Sequence, residues 1–95
     1  MEIRTKSGFV WNVDENRVND WRFARCLTEC EDESTAIFGV SKAVTFLMGE
    51  DGEAALMAHV TDQDGNIPTT RIIEEFREIM QLSGESIKKS RSSQE

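Results

Sequence analysis

The sequence predicts a mainly α fold of the α+β type: a short N-terminal β-hairpin followed by about four helices in a small bundle. Apolar and polar residues alternate with the two-residue period of a strand only up to Val13. Beyond Asp20 the apolar residues recur at three- and four-residue intervals, as a helix burying one stripe requires. Size sets a further bound, because a chain of 95 residues forms one domain that removes about two-thirds of its unfolded surface from water. Little surplus remains for a deep active site. The single domain is read as 1–84, with 85–95 as a polar, flexible tail rich in serine.

Glu2 to Thr5 and Phe9 to Val13 are extended segments joined by Lys6-Ser7-Gly8, where Gly8 supplies the left-handed conformation of a three-residue hairpin loop. Phe9, Trp11 and Val13 share one face and, with Ile3 or Thr5, cover part of the helical core. Asp14 is an N-cap for a short helical turn with Glu15 at its positive end. Val18 falls opposite the stripe that follows, so a break is placed near Asn19-Asp20. Asp20 then caps a helix beginning at Trp21 that carries Phe23, Ala24, Cys26, Leu27 and Cys30 on one broad arc.

The acidic cluster Glu29, Glu31, Asp32 and Glu33 ends that helix, and Ser34 or Thr35 starts the next. Ile37, Val40, Val44, Leu47 and Met48 form its inward stripe, and Gly49 is placed to terminate it. Phe38 and Phe46 lie off the stripe, one expected to be wrapped by neighbours and the other exposed. A further helix from about Asp51 to Thr61 turns Leu56, Met57 and Val60 inward and leaves His59 outside, with no nucleophile implied beside it. After a polar loop, Pro68 suits the first turn of the last helix, where its missing N–H has no intrahelical partner. Ile72, Ile73, Phe76, Ile79 and Met80 form that helix's apolar arc, and Glu74 and Glu75 read as part of its solvated face. Gly84 stops this helix, or else Ile87, still in phase, carries it on to Lys88.

Eighteen acidic residues against eleven basic ones give a net charge of −7, which repels phosphate backbones and argues against nucleic acid as a partner. The tail has three basic residues, a weak basis for a nucleic-acid arm. No long apolar run suggests a signal peptide or membrane span, so a cytoplasmic location is expected. Cys26 and Cys30, four apart on one helical side, pack as small apolar groups, and a reducing compartment disfavours their disulfide. With His59 the only imidazole, zinc would need a carboxylate as fourth ligand.

Asp62-Gln63-Asp64-Gly65-Asn66 opens like a calcium-binding EF-hand, with Asp62, Asp64 and Asn66 at its first, third and fifth positions. The sixth position is Ile67 where Gly is needed, and the twelfth is Ile73 where a bidentate carboxylate must close the cage. A one-residue slip brings Glu74 nearer the ligand role but abandons the glycine geometry. The segment therefore reads as a polar turn in which Gly65 takes positive φ, and no metal, cofactor or catalytic residue is assigned.

Thr5-Lys-Ser-Gly-Phe-Val-Trp-Asn-Val-Asp-Glu15, Asn19-Asp-Trp-Arg-Phe23, Phe46-Leu-Met-Gly-Glu50, His59-Val-Thr-Asp-Gln-Asp-Gly-Asn-Ile-Pro68 and Phe76-Arg-Glu-Ile79 follow one another at characteristic spacings. This succession, from roughly Ile3 to Lys89, resembles the small tail assembly chaperones of tailed bacteriophages and prophages of Gram-positive hosts. Cys26, Cys30 and the Ser-rich end lie outside the pattern. The resemblance implies no catalytic residues. It implies a helical protein of the bacterial host's cytoplasm that binds the long tape-measure protein, keeps it soluble and helps recruit tail-tube subunits. A second, frameshifted product often accompanies such proteins, and homo-oligomers are compatible with the role. The alternative is a generic acidic helical domain for protein interaction or regulation.

A chaperone for an apolar helical client needs exposed apolar groups. The off-stripe Phe38 and Phe46, with Met57 and Met80 as adaptable edge residues, are the expected partner-binding residues.

Overall fold

Gly8, at φ 96°, turns the chain between β1 (Glu2–Arg4) and β2 (Val10–Asn12). The computed structural model describes the backbone of residues 1–92 and the side chains of 1–85. The strands pair antiparallel with Ile3 opposite Trp11, and the Gly8 N–H donates to the Thr5 carbonyl at 3.0 Å to close the turn. The period of two then sorts the side chains as expected. Ile3, Thr5, Phe9 and Val13 are buried, Trp11 is half-buried against Phe9 with ring centroids 6.4 Å apart, and Val10 faces out.

Asp14 caps α1 (Glu15–Val18) by accepting the Asn16 N–H, and Asp20 caps α2 (Trp21–Glu31) by accepting the Arg22 N–H. The break between the two helices allows Phe23 to enter the core completely. Cys26, Leu27 and Cys30 are half-buried along the same face, whereas Ala24 is exposed. Thr35 precedes α3 (Ala36–Val60) without capping it, its hydroxyl donating instead to the Glu29 carbonyl at 2.8 Å. That bond ties the start of α3 to the end of α2. Where the two helices cross, Gly39 meets α2 so closely that a Cβ there would stand 2.7 Å from the Cys30 nitrogen.

Gly49 divides α3 into a first arm (36–48) and a second arm (50–60), with φ 72° and ψ −178°. The helix expected to end at this glycine is instead kinked there, and the second arm follows without an intervening loop. Val40, Val44, Leu47 and Met48 of the first arm and Leu56 and Val60 of the second are buried. Trp11 lies over Gly52, where an added Cβ would come 2.9 Å from Trp11 Cζ2.

The polar turn after α3 is organised by Asp62, whose Oδ1 accepts the Asp64 and Asn66 N–H groups at 3.0 and 2.9 Å, with Gly65 at φ 83°. One oxygen of the first would-be calcium ligand is thus spent on the loop's own backbone. Helix α4 (Thr69–Ser92) follows Pro68, with Phe76 and Ile79 buried and Ile72, Ile73 and Met80 half-buried. It passes through Gly84 and continues to Ser92, the running-on alternative. Of the tail expected over 85–95, residues 93–95 lie outside the described residues. Among the described residues no helix is long and apolar enough to cross a membrane.

Three side chains depart from the sequence reading. Glu75, expected on the solvated face, is only 5% exposed because the hairpin turn lies on it. Ile37, expected inward, is 62% exposed. The side chain of His59, expected on the outside, is 27% exposed although its residue is open to solvent overall. Its ring packs on Phe9, with centroids 5.4 Å apart.

Candidate partner-binding groove

The apolar stripes of α3 and α4 do not close on each other along their whole length. Where the two arms of α3 face the first turns of α4 they leave a cavity of about 180 Å³, with Ile67 of the preceding loop also in its wall. Val40, Val44 and Leu56 are buried in its wall, with half-buried Ile72 and Ile73 beside them. Ile37 and Ile67 are exposed, the latter 43%. Helical periodicity correctly groups Ile37 with Val40 and Val44, but α4 covers only the later members of that stripe.

The four residues expected to bind a partner are not gathered in one place. Met57 lines the groove. Met80 lines an adjoining crevice with Leu27, Cys30 and Phe76, which shares Val40 and Ile73 with the groove. Phe38 is the exposed aromatic, 67% accessible, and it lines neither cavity. Phe46 is the wrapped one: it packs beside Phe23 with ring centroids 6.2 Å apart, and the Arg17 and Arg22 guanidinium groups lie 5.3 and 5.0 Å from its ring centre. Sequence reasoning missed Ile37, Ile67 and Glu53 as groove residues. The available signal was Ile67, an apolar residue stranded in a polar loop just before Pro68.

A second cluster joins the hairpin to the helices. Glu75 Oε1 accepts hydrogen bonds from Thr5 Oγ1 at 3.2 Å and from Ser7 Oγ, while Ser7 Oγ and His59 Nε2 share a bond of 2.8 Å. Glu78 Oε2 adds a bond from the Lys6 N–H at 2.9 Å. A serine therefore does stand beside His59, contrary to the sequence reading. A relay of the serine-protease kind uses both imidazole nitrogens, one for the hydroxyl and one for the acid. Here Ser7 and Glu75 approach the same nitrogen, Nε2, Glu75 at 3.5 Å. Ser7 also bonds Glu75 directly. The arrangement is a clasp that fixes the hairpin on α4.

Electrostatics elsewhere follow local pairing. Asp20 is held at about 2, chiefly by side-chain hydrogen bonds from Arg22 and then by the Arg22 N–H. Burial raises the Cys30 thiol, and neighbouring Cys26, Glu29 and Glu31 act in the same direction, so its reactive thiolate is disfavoured. Both cysteines are free. Glu29 pairs instead with Lys42 at 3.1 Å, linking α2 to α3.

The geometry defines a small helical domain with an open apolar groove and a clasped hairpin. Comparison with protein-family models, with curated proteins and with solved structures returned no match.

Proposed function

We propose that this protein is a tail assembly chaperone of a tailed bacteriophage, acting in the cytoplasm of the bacterial host without catalysis or cofactor. Its client on this reading is the tape-measure protein, which it keeps soluble and to which it helps bring tail-tube subunits. The observation that supports this most is the groove: apolar side chains open to solvent at Ile37 and Ile67 on a chain of net charge −7. A groove of this kind accepts the apolar face of a helix, and the surplus negative charge keeps the complex dispersed. Many weakly bound copies along a long helical rod would hold it strongly through multivalency. The order of motifs from Thr5 to Ile79 supplies the phage context.

Co-expression with a candidate tape-measure protein tests the proposal. The soluble fraction of the client should rise with the wild-type chain and fall back with Ile37→Ser, a variant that should melt like wild type because the side chain is already exposed. Absence of rescue by the wild-type chain would overturn the reading. A tail-tube gene upstream and a very long tape-measure gene downstream would favour it over a general interaction domain.

A further inference from the structure

We infer that the groove selects an amphipathic helix presenting one bulky apolar anchor and, one turn away, a Lys or Arg that pairs with Glu53. This rests on the groove being the client-binding site and specifies the chemistry of the client. A cavity of about 180 Å³ has room for one large side chain rather than a row of them. Specificity must then come from what flanks that anchor. Among the described residues, Glu53 is the only charged one lining the groove. It is half-buried, its Oε2 accepts the Thr45 hydroxyl at 2.9 Å, and no described Lys, Arg or His pairs with it.

A carboxylate beside an apolar wall loses hydration when a client covers it. A client cation recovers that cost, whereas a client acid doubles it. Glu53 stands in the wall of the cavity that takes the anchor, so the cation that reaches it must be the anchor's neighbour on the helix face, three or four residues away at about 5–6 Å. The overall charge of −7 acts in the same sense at longer range, attracting basic helices and turning acidic ones away.

The test is selection from a displayed library of helical peptides on the immobilised full-length chain, wild type and Glu53→Lys in parallel, with melting temperatures recorded for both. Wild type should enrich peptides with a Leu, Ile, Met or Phe anchor and a Lys or Arg three or four positions away. Glu53→Lys should move the enrichment at that position to Asp or Glu. A peptide selected on wild type should bind roughly tenfold or more weakly to Glu53→Lys, to Glu53→Gln and to Ile37→Ser. Glu53→Gln serves as the folded control if the lysine variant melts early. Identical selections on wild type and a folded variant, or no enrichment of helical peptides, would overturn the inference. So would concentration-dependent self-association abolished by Ile37→Ser, which would make a second copy of this chain the occupant. Should tape-measure rescue fail while the selection result holds, the groove chemistry stands and the phage role falls. Rescue undiminished by Glu53→Lys would leave the phage role and remove this inference.

Discussion

Replacing Gly39 with Ala tests how closely α2 and α3 are packed. The added Cβ would stand 2.7 Å from the Cys30 nitrogen, 2.8 Å from the Glu29 carbonyl carbon and 3.0 Å from the Cys26 carbonyl oxygen. Carbon atoms in comfortable contact lie about 3.5–4.0 Å apart. All three obstacles are main-chain atoms, so no side chain can swing away to make room. Either α2 retreats by roughly 0.7–1 Å, loosening Phe23 and the Thr35 bond to Glu29, or α3 deforms. Overpacking of this sort costs about 1–3 kcal/mol, against which alanine's better helix propensity returns about 1 kcal/mol. The expected net loss is about 0–2 kcal/mol, a fall in Tm of up to roughly 15 °C for a domain of this size. Gly84→Ala is the internal control. It lies within α4 and a Cβ there meets nothing within 4 Å, so the propensity gain of up to about 1 kcal/mol should appear undiluted. Thermal and urea denaturation followed by far-ultraviolet circular dichroism measures both variants. If Gly39→Ala rises in Tm as Gly84→Ala does, the close approach of α2 and α3 is refuted.

Four further outcomes follow from individual side chains. Ser83 Oγ is fully buried with no hydrogen-bond partner among the described residues; Ser83→Ala should therefore stabilise by about 1 kcal/mol, and a clear loss in urea denaturation would reveal a bond the hydroxyl makes. Glu75→Ala should cost about 2–3 kcal/mol by dissolving the clasp, whereas Glu74→Ala should stay within about 0.5 kcal/mol; equal losses from the two neighbours would contradict the burial of Glu75. Asp20 titrates at about 2 in the folded chain against an ordinary 3.8, so its contribution is present above 3.8 and is lost as pH falls toward 2. Asp20→Asn keeps a capping side chain but has no such loss, and its Tm should decline less than that of wild type across this interval; parallel declines would count against the Arg22 pairing. Phe38→Ser should leave the melting transition within about 0.5 kcal/mol, while Phe46→Ser should lose about 2–3 kcal/mol of packing and ring contacts; early melting of the Phe38 variant would place that ring in the core.

Features decided within a few residues of one another are legible in the sequence. Asp14 and Asp20 cap their helices through N–H groups two residues ahead, and Gly8, Gly49 and Gly65 all take the positive φ their turns require. The polar loop at Asp62 belongs to the same class. Features set by distant segments are not legible there. Glu75 looks like any exposed helical acid until Thr5, 70 residues earlier in the chain, comes to rest on it, and His59 is drawn in by Ser7 across 52 residues. Ile37 fails for the complementary reason. Periodicity names the face a residue occupies but not how far along that face the neighbouring helix reaches. The candidate groove is hidden from the sequence for this reason, and only Met57 of the expected contact residues lines it.

The kink at Gly49 places two walls of the groove under the control of one pair of backbone angles. At φ 72° and ψ −178° the main chain occupies a region that residues with a Cβ avoid, so the angle between the arms of α3 is specified by a position with no side chain to mutate gradually. Wall spacing and wall chemistry are thereby separate variables. Substitutions at Ile37, Ser41, Glu53 or Met57 can change the chemistry of the lining while the frame stays as it is. If the groove does hold a client helix, as proposed, a lineage following a changing client would vary those positions freely around an unvarying glycine.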